Sequence, residues 1–457
     1  MAESPEKWYN NPMSFDLPAL SPDRTIPVLL AIGALAGLDL VRRWRHQPTH
    51  LLFAVVLGTF LSFALIRTVG TGIEAGKANP YLMTAVLILV LIAWRSLFGP
   101  WEVTTKATVL GTFLFWVTGH LLWRQSGDEQ IVRLVAAGVA LVPAVVWILL
   151  FLKYHAERAS VVVLLFFAGM LSTAPILFYD LLVRRGVELQ FFLFTLSPQS
   201  FSRTASRFVS EHVPLESGVA TALVTSLVTF LFVALIEEAS KYWVLTRNAK
   251  PLFRSIDDVL QLSIVVAIGF AFAENVVNPV YFTAFVRQYL FHGAAPDMGA
   301  FFGNVLGRSV LTTMVHVLST GIMGYFFALA LFAGPYLKER HAEGRAYRLT
   351  RWLHSLLRVP EESVFRVNML ATGFVLAVLL HAAFNFLVTI PELLPGQPDT
   401  LGEIVGPSLP SFLANIPFLM VPSLFYVVGG FWILTSLFLR KENMVELGHL
   451  QPETEGE

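Results

Sequence analysis

Four apolar stretches of the chain each carry polar side chains that hydrocarbon rejects. Phe230 to Leu245 (FLFVALIEEASKYWVL) holds Glu237, Glu238 and Lys241. Val259 to Phe285 holds Glu274 and Asn275, Val305 to Leu331 holds Arg308 and His316, and Val367 to Ile390 holds His381 and Asn385. An ionisable group at membrane depth costs at least ~2.5–3.5 kcal/mol, so each of these positions is a candidate functional site. Residues three and four apart share a helix face, so one of Glu237 and Glu238 can pair with Lys241 while the other faces elsewhere. Two carboxylates and one ammonium in a low dielectric compete for ionisation, the condition in which a glutamate serves as general base or acid. The competing reading of this motif alone is a Glu–Lys pair that locks helix packing.

The other three stretches extend the pattern. Glu274 lies about 16 residues, or roughly 24 Å of helix, from the start of its segment, with Asn278 on the same face and Pro279 placed to kink the helix. Arg308, Thr312, His316 and Thr320 recur every fourth residue and make one polar stripe, which must face protein or water rather than lipid. His381 and Asn385 are four apart and share a face. Of the eleven histidines, His120, His316 and His381 fall well inside apolar segments. His120 stands alone and is expected to be an interhelical hydrogen bonder. Two glutamates and two histidines converging at one depth open two routes, both hydrolytic. They can hold a metal such as Zn²⁺ through imidazole and carboxylate with one position left for water. They can also activate water directly, with Glu as base and His and Asn holding the developing oxyanion.

The elements that position these groups follow from composition. The 457 residues are 55% hydrophobic and 14% charged, against about 45–50% and about 25% in ordinary soluble domains, so the chain is a polytopic membrane protein. A net charge of zero offers no basic surface for nucleic acid, and the absence of cysteine excludes disulfides, thiolate metal sites and a cysteine nucleophile. A spanning helix needs about 20 apolar residues, which yields an all-α transmembrane bundle of about eleven spans. They are 25–41, 51–67, 81–97, 107–123, 131–153, 159–182, 218–246, 259–285, 305–333, 367–390 and 412–438. The chain divides into a polar tail (1–24) without signal-peptide character, a six-helix bundle (25–182) and an extracytoplasmic loop (183–217). A four-helix catalytic core (218–390) follows, then a last helix with a cytoplasmic tail (391–457). The FFLFTL run inside the loop is expected to lie in the membrane interface rather than to span. Basic loops at Arg42–Arg45, Lys153–Arg158, Arg247–Arg254, Lys338–Arg366 and Arg440–Lys441 fall on one side, placing the N-terminus outside and the C-terminus inside. The four arginines of loop 183–217 run against this pattern.

Taken in order, the motifs Glu237-Glu238-Ala239-Ser240-Lys241, Phe270-Ala271-Phe272-Ala273-Glu274-Asn275, His316 and His381-Ala382-Ala383-Phe384-Asn385 resemble the PrsW family of intramembrane proteases. That family is related to the CAAX prenyl protease and bacteriocin-processing superfamily. The resemblance covers about residues 218–390. It implies a peptidase of the bacterial cytoplasmic membrane that cleaves a membrane-anchored protein, such as an anti-sigma factor or another regulator. By position, Glu237 or Glu238 would activate water, His316 and His381 would bind metal or polarise the carbonyl, and Asn385 would stabilise the oxyanion. Lys241, Asn275 and Arg308 would support them. Glu274 stands where the wider superfamily has histidine, so a Zn²⁺ site would use His316, His381 and Glu274. The runner-up function is a proton- or ion-coupled transporter using the same buried groups, against which stands the lack of an internal repeat. A catalytically dead scaffold is a third.

Overall fold

The computed structural model describes residues 50–191, 194–196, 218–277, 282–291, 305, 307–344, 347–406 and 408–440. They fall into two compact units, 1–124 with 180–201 and 125–179 with 202–457. In chain order the helices are His50–Ala78 (α1), Pro80–Leu97 (α2), Val103–Trp123 (α3), Gly127–Phe151 (α4), Ala159–Leu171 (α5) and Ala174–Arg185 (α6). After the strands Leu189–Phe191 (β1) and Phe194–Leu196 (β2) come Gly218–Ala249 (α7), Ile256–Val277 (α8), Phe282–Phe291 (α9), Thr313–Leu331 (α10), Ala333–Ala342 (α11), Arg348–Leu357 (α12) and Glu361–Leu393 (α13). Leu401–Val405 (α14), Ser411–Ala414 (α15), Met420–Leu424 (α16) and Gly430–Phe438 (α17) close the described chain.

Nine helical segments of the described residues are long and apolar enough to cross a membrane. They coincide with nine of the expected segments. Segment 25–41, with Asp39, lies outside the described residues, as do Asn278 and Pro279. Segment 107–123 is the helix α3, but its threonines, Lys106 and His120 keep it out of the nine. His120 does not make the expected interhelical hydrogen bond: its Nε2 has no hydrogen-bond partner. Segment 159–182 is broken at Ser172–Thr173, where both hydroxyls turn back onto the carbonyls of Gly169 and Met170. Of the FFLFTL run, Phe191 and Phe194–Leu196 belong to two short antiparallel strands, with Leu189 opposite Leu196, and the two residues between them lie outside the described residues.

In the first unit α1 packs against α2 and α3, with Trp116 Nε1 donating to Thr59 Oγ1 at 2.9 Å. The Gln190 N–H donates to Thr84 Oγ1 at 2.9 Å and so ties β1 to α2.

The second unit is built around α8 and α10. About nine-tenths of the apolar window of each is buried (89%), against half or less for every other span. α8 packs on α4, α5 and α10, and α10 on α13, which also packs on α7. At the α5–α8 crossing a Cβ on Gly269 would run into the Phe166 carbonyl, and one on Gly169 into the Val266 carbonyl, so the two backbones touch. Glu129, in the acidic first turn of α4, accepts from the Arg287 guanidinium of α9 at 2.8–3.1 Å.

α8 starts from a reciprocal cap. Ser255 Oγ accepts from the Asp258 N–H at 3.0 Å, and Asp258 Oδ2 accepts from the Ser255 N–H at 2.8 Å. His155, in the turn between α4 and α5, donates from Nε2 to Asp258 Oδ1 at 2.6 Å, and Glu157 Oε1 lies 3.9 Å from the same nitrogen. The hydrogen bond to Asp258 raises the His155 pKa above its usual 6.5 against the opposing effect of burial, and the charges of Asp258, Asp257 and Glu157 add to it. Burial raises Glu157 above its usual 4.5, with the Asp258 charge adding to it. A base with a raised folded pKa gives stability that is complete below its unfolded value and lost as pH rises through the folded one. A raised carboxyl acts in the same direction from its own unfolded value upward. The melting temperature of the detergent-solubilised protein is therefore expected to fall as pH rises above about 6.5, where His155 deprotonates in the unfolded chain but still holds its proton in the folded one. His155→Gln should flatten that fall, whereas a difference from wild type that is constant across pH would refute the linkage.

Candidate active site

Four helices bring the polar set together. α7 supplies Glu237, Glu238 and Lys241, α8 supplies Glu274 and Asn275, α10 supplies His316, and α13 supplies His381 and Asn385. Lys241 and Glu238 have no exposed side-chain surface, and Nζ donates to Glu238 Oε1 at 2.7 Å. The three-residue spacing on α7 places the pair on one face. The same oxygen accepts from His381 Nδ1 at 2.8 Å and from Ser319 Oγ at 3.1 Å, while Oε2 accepts from Thr320 Oγ1 at 2.8 Å. Glu238 is thus a saturated acceptor at the junction of α7, α10 and α13.

Glu237, its neighbour, is the opposite case. It is buried, and its Oε2 has no hydrogen-bond partner. That oxygen lies 3.5 Å from His381 Nε2. Because His381 gives its Nδ1 proton to Glu238, its Nε2 keeps a lone pair directed away from that carboxylate.

His316 is fixed from both sides. Its Nδ1 is 3.0 Å from Lys241 Nζ and its Nε2 is 2.8 Å from Glu274 Oε2. An ammonium has only donors, so Nδ1 accepts and Nε2–H donates to Glu274. The two imidazoles meet edge to face, with ring centroids 4.7 Å apart. Lys241 Nζ also sits 4.1 Å from the Phe270 ring centroid, a further contact for the buried cation. The Glu274 side chain retains 27% exposure, so the cluster opens on the α8 side.

A metal fits this donor set. Glu237, His316 and His381 each offer one donor atom within 4.8 Å of the others. The unpartnered Glu237 oxygen and the lone pair of His381 Nε2 are groups that a cation would satisfy, and two imidazoles with one carboxylate suit a borderline divalent ion. Glu274, expected in that set, instead holds His316 Nε2.

Glu237, Glu238, Lys241, Glu274, His316 and His381 therefore converge. Asn385 lies one turn beyond His381, half-buried, with no side-chain hydrogen bond to the cluster. Asn275 is buried with its Oδ1 unpartnered. Arg308 lies in a π-helical turn, Gly307–Thr312, that precedes α10, and its Nη1 is 3.5 Å from Thr312 Oγ1. Sequence reasoning missed Ser319, whose only signal is its place one turn after His316. It also missed Tyr426, whose hydroxyl donates to the Leu380 carbonyl at 2.5 Å behind His381.

Comparison with curated proteins and with solved structures returns no match. The family model described as PrsW family intramembrane metalloprotease matches residues 157–405, a stretch that opens just before α5 and takes in every helix of the polar cluster. With more than half of its length so matched, and with Glu237, His316 and His381 arranged to hold a metal inside a bundle of spanning helices, the chain belongs to the PrsW family of intramembrane metalloproteases.

Proposed function

We propose that Glu237 is the base that activates the hydrolytic water, and that Glu238 with Lys241 positions the two histidines. The observation that carries this reading is the contrast between the two acids: Glu238 accepts four hydrogen bonds, whereas Glu237 keeps a buried oxygen without a partner. Glu237 takes a proton from water as the hydroxide adds to the peptide carbonyl carbon. It returns that proton to the amide nitrogen as the C–N bond breaks, leaving a carboxylate and an amine. Asn385, free of other site contacts, is the oxyanion donor, and Asn275 and Arg308 line the approach. His316, His381 and one oxygen of Glu237 would hold the metal, for which Zn²⁺ suits the donors, leaving the other Glu237 oxygen to act as the base. When bound, the metal polarises the carbonyl and acidifies water. A cation at His316 Nε2 would need that nitrogen's lone pair: Glu274 is placed to take the Nε2 proton, and Lys241 to supply one to Nδ1 so that the ring stays neutral.

The protein substrate is a membrane-anchored regulator such as an anti-sigma factor, and the enzyme sits in a bacterial cytoplasmic membrane with its N-terminus outside and its C-terminus inside. Residues 218–390 form the catalytic core, 25–182 a preceding bundle and 183–217 an extracytoplasmic loop. Purified protein in proteoliposomes with a single-pass substrate provides the test. We expect cleavage to be lost on chelation and restored by Zn²⁺, with stoichiometric metal in wild type and none in His381→Ala. Cleavage indifferent to chelation would refute the metal assignment, and no cleavage of any single-pass substrate would refute the proteolytic one.

A further inference from the structure

α12 (RLTRWLHSLL) carries Leu349, Trp352 and Leu356 at helical spacing on one face, each more than half exposed (54%, 59% and 61%). Arg348 and Arg351 are exposed beside that face, Arg358 follows at the C-cap, and the helix has no acidic residue. Its other side is anchored to the protein. Thr350 is fully buried and the helix packs on α13. Tyr347, just before α12, lies against Phe365 of α13 with centroids 4.9 Å apart, and its hydroxyl is 2.9 Å from that of Tyr336 of α11. The C-terminus is closed by Arg358 in the left-handed region (φ 55°) and by His354 Nδ1, which donates to the Val359 carbonyl at 2.6 Å.

This anchor fixes the level of α12 relative to the bilayer. Phe365 and Arg366 sit in the second turn of α13, immediately before Val367, which is 67% exposed and begins the apolar surface of that span. A helix held there, with an aromatic and leucine face and arginines beside it, has the composition of one lying in the headgroup layer. We infer that α12 docks into the membrane interface and binds anionic lipid headgroups through Arg348, Arg351 and Arg358. The arginine stems lie along the acyl boundary while the guanidinium groups reach phosphate.

The chain has no cysteine, so Leu356→Cys gives a single attachment point for a polarity-sensitive dye on an exposed side chain. The full-length labelled protein is placed in nanodiscs of phosphatidylcholine alone or with phosphatidylglycerol, each doped with a nitroxide lipid. We expect blue-shifted emission quenched by the nitroxide, with quenching that is stronger with phosphatidylglycerol and declines as salt is raised. Replacing Arg348, Arg351 and Arg358 by Gln should weaken the anionic-lipid effect by about five-fold per arginine. Leu349→Cys should report the same environment and guards against a local effect of one label. Water-like, unquenched emission in both discs would overturn the inference. So would equal quenching in the two lipids, or shielding that appears only as protein concentration rises, which would indicate a second copy.

Discussion

Glu237→Gln is expected to lower peptide-bond cleavage by about 10²–10⁴-fold, the usual worth of a positioned base, while leaving the melting temperature of the metal-free protein at or above that of metal-free wild type. The two halves of this result have separate causes. The substitution removes the acid of the cluster whose buried oxygen has no hydrogen-bond partner, so proton transfer from water fails. It also removes a buried charge that no side chain solvates by hydrogen bonding, so folding loses nothing by it. Initial rates on a reconstituted single-pass substrate, with thermal unfolding of the same preparation after metal removal, would decide. A Glu237→Gln enzyme that keeps wild-type rates places the base elsewhere and would falsify the assignment. Glu238→Gln should differ in kind, because glutamine keeps only one acceptor oxygen and cannot hold the bonds from Lys241, His381, Ser319 and Thr320 together, and so destabilises the bundle as well as the enzyme.

Lys241→Met should cost about 3–5 kcal/mol of stability, the range for breaking a buried ion pair by removing one partner. Neither member of the pair has exposed side-chain surface, so water cannot replace the ammonium beside Glu238. His316 loses the donor to its Nδ1 at the same time, so activity should fall with stability. The decisive comparison is the double variant. Glu238→Gln in the Lys241→Met background removes the stranded charge and should raise the melting temperature above that of Lys241→Met alone. A single variant that melts with wild type, or a double variant that melts below it, would refute the account.

Much of the site was legible in the sequence because its clues are local. The three-residue spacing of Glu238 and Lys241 and the isolation of His316 and His381 within apolar runs needed only helical periodicity and the cost of burying charge. The division of labour between Glu237 and Glu238 was not legible, since adjacent residues differ only in which neighbour each meets. Those neighbours, Ser319, Thr320 and His381, come from α10 and α13. For the same reason Glu274 could be grouped with His316 but not set beside its Nε2. The proton- or ion-coupled transporter reading used the same buried groups and gives way to the family match. In the fold, apolar runs located the spans. They did not disclose the break at Ser172, which frees a carbonyl that accepts from Ser240 Oγ at 2.7 Å and so ties the end of α5 to the motif turn of α7.

The bare crossing of Gly169 and Gly269 bears on how such a molecule is made. α8 carries Glu274 into the bilayer with no outward face of its own to offer lipid, so it is a poor passenger for insertion by itself. α5 is synthesised earlier and is strongly apolar, and it presents at Gly169 a notch into which a second backbone fits. During biogenesis α5 can therefore wait in the membrane as a berth, and α8 on emerging from the translocon exchanges that machinery for a protein neighbour. The acid thereby reaches its depth without ever being solvated by hydrocarbon.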